Sequence, residues 1–356
     1  MFADTLLQWY ADNARVLPWR GINNPYFIWL SEIILQQTRI EQGRDYYFRF
    51  IEEYPTVQHL AAASEEQVLK TWQGLGYYSR ARNLHSAARY IVDELHGQFP
   101  STYEGILRLK GVGRYTAAAI ASFAFRLPHP VIDGNVYRFI SRLYGIATPI
   151  ATDAAYKEFE ALLLRHIDAS RPDLFNQALM DFGSLQCVPQ HPQCALCPFS
   201  ADCVAFLHGT IDLFPVKAAP IKVKERWFYY FHILYDGHTL MHQRQGKDIW
   251  RGLYEFPLLE CDSPLSPQAL EEQTQQFLAR YGITPGTYTT LPSIDYVHKL
   301  THRTIHATFL EVNLHNSPPP HTLSDTLFSC EEAKKLPISR LIDRYLSKRQ
   351  KVSADN

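Results

Sequence analysis

The sequence contains no apolar run long enough to span a bilayer, so no membrane-crossing helix and no membrane partner are expected. It also lacks a basic start: the chain opens Met-Phe-Ala-Asp-Thr-Leu-Leu-Gln-Trp-Tyr, with an early acid and no lysine or arginine. A secretory signal is therefore not expected, and an intracellular, cytoplasmic location is. Excess positive charge is missing as well. Lys and Arg total 35 against 36 Asp and Glu, a formal net charge of −1, so any nucleic-acid partner must be gripped by local charge. Cysteine is sparse, and four of the six crowd into Cys187–Cys203, which argues for a metal centre rather than disulfides. No internal repeat is visible.

What is present suffices for two folded domains: 356 residues, of which 46% are hydrophobic. The organising stretch runs from Leu109 to Asn135. Gly111 and Gly113 bracket Val112 between two helical segments, Tyr103–Leu109 and Thr116–Phe125. Glycine permits the tight turn and brings bare backbone near a ligand. The helix opening at Arg114 offers unpaired N–H groups and a positive dipole end, with Lys110 beside it. This pattern reads either as a glycine-cornered helical hairpin or as a helix–hairpin–helix that holds a nucleic-acid backbone without reading its sequence.

Two carboxyls stand out. Residues 21–38 carry a single charged side chain, Glu32, within a helix whose Leu30, Ile33 and Ile34 are core-like. Glu32 either sits at the margin of that face with its head in water, or is buried with its pKa raised. Asp133 precedes Gly134-Asn135 and a helix whose Val136, Phe139, Ile140 and Leu143 form a core face, so it is placed as an N-cap. Arg138 and Arg142 point off that face.

Gly74-Leu75-Gly76-Tyr77-Tyr78-Ser79-Arg80-Ala81-Arg82 sets aromatic rings beside guanidinium groups. It is a packed corner or a surface for stacking bases and clamping phosphates. Cys187, Cys194, Cys197 and Cys203 follow a C-x6-C-x2-C-x5-C spacing among prolines. Zinc ribbons usually show two close pairs and this spacing has one, which favours a four-iron four-sulfur (4Fe-4S) cluster over zinc.

After a proline-bearing linker the period changes. Trp227–Tyr235 and Thr239–Arg244 flank an Asp236-Gly237 turn, Gly252–Leu259 and Thr304–Val312 read as strands, and Gln268–Tyr281 as a helix. The expected organisation is a mainly α domain over 1–213, a linker at 214–225, an α+β domain over 226–346 and a frayed tail at 347–356. Asn316-Ser-Pro-Pro-Pro reads as a loop.

Taken together, these residues resemble the adenine DNA glycosylases of the MutY type, in the endonuclease III superfamily. Carrying the resemblance are Ser31-Glu32 with Leu35-Gln36-Gln37-Thr38, Gly74-Leu75-Gly76-Tyr77-Tyr78, Gly111-Val112-Gly113-Arg114-Tyr115-Thr116, Asp133-Gly134-Asn135-Val136 and the four cysteines. The resemblance implies a helix–hairpin–helix glycosylase domain with an iron–sulfur loop, followed by a Nudix-like domain. It implies a monomer that excises adenine opposite 8-oxoguanine, or guanine, in double-stranded DNA, with a structural 4Fe-4S cluster. Glu32 would be general acid and then base, and Asp133 would stabilise the oxocarbenium-like sugar. Tyr115 and Asn135 would orient them. Gln37 and Tyr77 would fill the vacated duplex, and Gly111, Val112, Gly113 and Arg114 would hold the backbone.

Position 115 is tyrosine where strand-cutting members of the superfamily place a Schiff-base lysine, so base removal without strand cleavage is expected. The stretch Trp250-Arg251-Gly252-Leu253-Tyr254-Glu255-Phe256-Pro257 resembles the family's Nudix-like domain, but no Arg-Glu-x-x-Glu-Glu run follows to hold magnesium. Recognition rather than hydrolysis is expected there. Leu300-Thr301-His302 stands where family members carry Phe-Ser-His to sense 8-oxoguanine. The hydroxyl and the imidazole are kept and the aromatic ring is not. Two rival expectations are an endonuclease III-like glycosylase for oxidised pyrimidines and a DNA-binding protein without catalysis.

Overall fold

A computed structural model describes residues 2–218, 223–315 and 325–354. By their contacts the residues fall into two compact units: Met1–Ala62 with Asn83–Pro220, and Ala63–Arg82 with Ile221–Asn356. The expected proline-rich loop at 316–320 lies outside the described residues. Among those described, no helix is long and apolar enough to cross a membrane.

The first unit is helical. Its central element, Pro25–Leu35, starts at Asn24, whose side chain accepts from the Tyr26 and Phe27 amides, with Pro25 at the first helical position. Residues 26 and 28–34 are all buried, so this helix is core on every face rather than amphipathic. Against it packs Arg114–Phe125, where Ala117, Ala118, Ala119 and Ala121 are buried and let the backbones approach. That helix begins two residues earlier than the sequence suggested, directly after Gly113. The neighbouring core joins Leu6, Val136, Phe139, Ile140, Leu143, Phe159, Phe175 and Phe182 from the Phe2–Asn13, Gly134–Tyr144, Asp153–Leu164 and Pro172–Asp181 helices and the turn beyond.

The second unit is built on an eight-stranded sheet. Its strands are β1 (Lys224–Tyr235), β2 (His238–Gln243), β3 (Tyr254–Glu255), β4 (Leu258–Cys261), β5 (Tyr288–Thr290), β6 (Ile294–Lys299), β7 (Arg303–Leu314) and β8 (Asp325–Ser329). β1 and β7 run parallel in register from Lys224–Arg303 to Leu234–Asn313, and the remaining pairs are antiparallel. The expected strand at 252–259 is split into β3 and β4 around Phe256-Pro257, since proline cannot donate to a ladder. Helix Pro267–Ala279 covers one face, where Phe277 stacks on Phe231 at 4.3 Å.

On another side of the sheet the Arg340–Ala354 helix runs into the stretch expected to fray, of which residues 355–356 lie outside those described. Tyr345 stacks on Phe309 at 4.2 Å, and its hydroxyl lies 2.8 Å from His232 Nδ1. Further along, Arg349 Nε donates to Glu311 at 2.6 Å. Those anchors hold the last turns in place. Segment Ala63–Arg82 joins this unit through Lys70, which donates to the carbonyls of Lys334 and Leu336, and Tyr254, whose hydroxyl donates to Glu66.

Candidate active site

A cavity of about 500 Å³ opens in the first unit, lined among others by Arg20, Glu32, Gln37, Tyr115, Asp133 and Gln177. Three of the four expected catalytic residues and Gln37 are thereby brought together. Glu32 comes from the buried Pro25–Leu35 helix and is 7% exposed. Burial pushes its pKa up to about 7, and nearby Asp133 adds to the rise, while hydrogen bonding to Tyr115 and the charge of Arg20 oppose it. The margin placement is thus excluded. Near neutrality a large share of Glu32 keeps its proton, as a general acid requires.

Asp133 is both cap and cavity wall. One carboxylate oxygen accepts from the Val136 amide at 2.8 Å, and the other from Asn135 Nδ2 at 2.8 Å. Burial raises its pKa as well, so the two acids are not shifted in opposite directions. Hydrogen bonds from Val136 and Asn135 and the charge of Arg138 oppose the rise at Asp133 and favour its anion. Asn135 is not in the cavity wall. It acts on Asp133 from behind and is itself held by Arg138 Nη2, which donates to Asn135 Oδ1 at 2.9 Å.

The Tyr115 hydroxyl donates to Met180 Sδ at 3.9 Å and shares the cavity with Glu32, whose pKa it draws down. Its own pKa is raised well above the phenolic range by burial and the two carboxyls, so it remains a donor. Behind the cavity lies an arrangement that short-range sequence patterns do not reveal. Asp181 is fully buried and receives both Arg20 nitrogens at 2.6 and 2.7 Å, Arg15 Nε at 2.8 Å and the Arg15 amide at 3.1 Å. The Arg15-to-Arg20 loop is fixed by this double fork, and Arg20 supplies positive charge to Glu32. Leu17-Pro18-Trp19-Arg20, where proline interrupts the helical pattern, forms the end of that loop.

The hairpin lies outside the cavity wall. Gly111 has φ +84°, and a Cβ there would stand 2.7 Å from Asn83 Cβ, so the position demands glycine. Gly113 caps the Arg114–Phe125 helix without a side-chain hydrogen bond, which leaves the first amides open to an anion. Arg114 is partly engaged already, donating to Asp153 at 2.9 Å over the Tyr156 ring.

Cys187, Cys194, Cys197 and Cys203 line one apolar cavity of about 20 Å³. Among the described residues no group of three or more His, Cys, Asp or Glu is gathered so as to hold a metal ion. Arg142, read from the sequence only as lying off the core face, is 2% exposed and organises this loop. It donates to the carbonyls of Val188 at 2.8 Å and Pro189 at 3.0 Å and lies 3.6 Å from Cys187 Sγ. Arg138 Nε donates to the Cys187 carbonyl at 2.8 Å, so one helix ties the cysteine loop to Asn135 and Asp133.

Tyr77 is not in the Glu32 cavity. With Leu300, Thr301, His302 and Trp250 it lines a second cavity of about 410 Å³ in the second unit. Its hydroxyl is 2.6 Å from Thr301 Oγ1, and the ring is 44% exposed.

Comparison with known proteins adds independent findings. A family profile described as HhH-GPD superfamily base excision DNA repair protein matches residues 30–164, and a NUDIX domain profile matches residues 229–348. An adenine DNA glycosylase of Buchnera aphidicola subsp. Baizongia pistaciae is 36% identical over 263 residues, covering 72% of this chain and 73% of the relative. The adenine DNA glycosylase of Mus musculus is 43% identical over 215 residues, 58% of this chain and 42% of the relative. Among solved structures, a thermostable thymine-DNA glycosylase superposes with a TM-score of 0.55 at 28% identity, covering 58% of this chain and 95% of that one.

Proposed function

The chain belongs to the adenine DNA glycosylase family, and on that premise we propose that Glu32 and Asp133 cleave the N-glycosidic bond of adenine mispaired with 8-oxoguanine or guanine. It is a base-excision repair glycosylase acting on DNA, with an HhH-GPD helical part and a Nudix-like second part. The fold alone leaves the base undetermined, because the same helical fold serves a thymine-DNA glycosylase.

The observation that carries the roles is the shared cavity: a protonated, buried Glu32 and an anion-supported Asp133 open on one space. An extruded deoxyadenosine enters it after leaving the stack. Glu32 gives its proton to N7, the C1′–N9 bond breaks with its electron pair going to the purine, and adenine departs. The cation at C1′ faces the Asp133 carboxylate. Water then adds to C1′ and returns a proton to Glu32, as in glycoside hydrolysis. Proton donation of this kind is worth roughly 10²–10⁴-fold. Tyr115 and Asn135 hold the two carboxyls in place, and Tyr115 offers no amine for a Schiff base.

Residues 1–213 act as the excising domain and 226–346 as the lesion-recognition domain, with Tyr77 contributing to the latter. Gly111, Val112, Gly113 and Arg114 hold the DNA backbone, and Gln37 and Tyr77 fill the gap left in the duplex. Leu300, Thr301 and His302 face 8-oxoguanine. Protein of this kind works as a monomer inside the cell. Cys187, Cys194, Cys197 and Cys203 hold a 4Fe-4S cluster. The four cysteines line one apolar cavity, and four thiolates brought together would suit such a cluster. When bound it braces the loop and supplies no step of the hydrolysis.

The test is single-turnover incubation with duplexes carrying adenine opposite 8-oxoguanine, an oxidised thymine, or no lesion. Adenine release from the first duplex alone is expected. Release of the oxidised pyrimidine, or binding without release, overturns the proposal in favour of a rival.

A further inference from the structure

The hairpin tip that presents Thr301 is short and closed by its own backbone: the Leu300 amide donates to the Arg303 carbonyl at 2.7 Å. Such a tip can still swing about its two strands. Neither strand is left to do so, because the loop from Arg244 to Leu253 touches both. Arg303 Nη1, at the start of β7, donates to Asp248 Oδ1. Trp250, with φ +60°, sets its ring edge-on against His298 of β6 at 5.7 Å between centroids.

Asp248 is itself held rigidly. Its other oxygen accepts from Arg226 at 2.6 Å and Arg244 at 3.2 Å. Arg226 also pairs with Glu260, and Arg244 with Glu255 and Glu260, so the three arginines and three carboxylates belong to one network, which His242 extends from Glu255 to Asp325. Among the described residues Arg303 pairs with Asp248. Burial raises the Asp248 pKa, but the hydrogen bonds from Arg226 and Arg303 outweigh it and hold the group well below the usual carboxylate range. The carboxylate is therefore charged near neutral pH.

We propose that Asp248 is a positioning residue for lesion discrimination, acting through Arg303 to fix the Leu300–His302 tip where Thr301 meets the Tyr77 hydroxyl. The inference rests on the lesion-sensing role proposed above for that tip.

Arg303→Gln and Asp248→Asn separate this role from simple charge. The first removes a cation and the second an anion, so a long-range attraction to phosphates predicts opposite changes in DNA affinity. The strut predicts the same change from both. Single-turnover adenine excision is measured against enzyme concentration on A:8-oxoguanine and A:guanine duplexes. In both variants the half-saturating concentration on A:8-oxoguanine rises roughly tenfold, the worth of one lost charge-assisted contact. The plateau rate, and both parameters on A:guanine, stay within about twofold, which also shows that the fold is intact. Arg303→Lys restores most of the loss.

Opposite shifts in the two variants, or equal losses on both duplexes, overturn the strut alone. A wild-type protein that treats the two duplexes identically overturns the lesion-sensing reading, and the strut with it.

Discussion

Tyr115 and Glu32 face one cavity, which Asp133 also lines. The phenol draws the Glu32 pKa down against the rise caused by burial, so it helps set how much of the acid form exists near neutrality. Tyr115→Phe removes the phenol hydroxyl. In a single-turnover pH–rate profile the wild type loses activity as pH rises through about 7, and the variant's limb moves to higher pH. An unmoved limb, or one moved downward, contradicts the coupling.

Stability follows the same group with a definite sign. The folded-state pKa of Glu32 is raised from 4.5 to about 7, so the native state binds more protons than the unfolded chain between those values. Stability is therefore lost as pH rises through that window and is not regained above it. Glu32→Gln is neutral at any pH. It should stabilise the fold by up to about 3 kcal/mol at pH 8 and change it little at pH 4, as read from denaturant unfolding.

Asp181 makes the opposite case, a buried charge that is fully paired. Asp181→Asn leaves Arg15 and Arg20 facing a neutral group in the interior. Breaking one side of such a network costs roughly 3–5 kcal/mol. Unfolding midpoints should fall accordingly, and a change below 1 kcal/mol would show that the arginines find solvent instead.

Gly183 lies where the chain turns toward the cysteine loop, and a Cβ there would stand 2.6 Å from the Asn135 carbonyl oxygen. Gly183→Ala must push Asn135 away from Asp133. We expect the plateau excision rate to fall at least about tenfold while duplex affinity holds, since a displacement near 1 Å costs a preorganised site about that much or more. An unchanged rate would mean that Asn135 does not orient Asp133.

Serine in place of Cys197 tests the cluster. Wild-type protein should carry iron and acid-labile sulfide, and Cys197→Ser should lose both; stoichiometric zinc without sulfide would contradict the assignment.

Legibility in the sequence tracked the range of the interactions involved. Glu32 was visible because it is the lone charge in an apolar helix, and Asp133 because Asp-Gly-Asn before an amphipathic run marks a helix start. Both signals are local. The Asp181 network was not visible, since its arginines lie 161 and 166 residues away. Arg142 was seen to leave the core face, yet its burial against the carbonyls of a cysteine loop 46 residues on was not. Tyr77 is legible as part of an aromatic and arginine-bearing corner, but its partner Thr301 is 224 residues distant. Pairings of that separation depend on the fold as a whole and leave no periodic trace.

The most direct measurement is adenine release under single turnover by Glu32→Gln and Asp133→Asn, each compared with wild type on an A:8-oxoguanine duplex whose binding is measured in parallel. The account predicts that both variants bind the duplex and release essentially no adenine. Release at near wild-type rate from either one would contradict it.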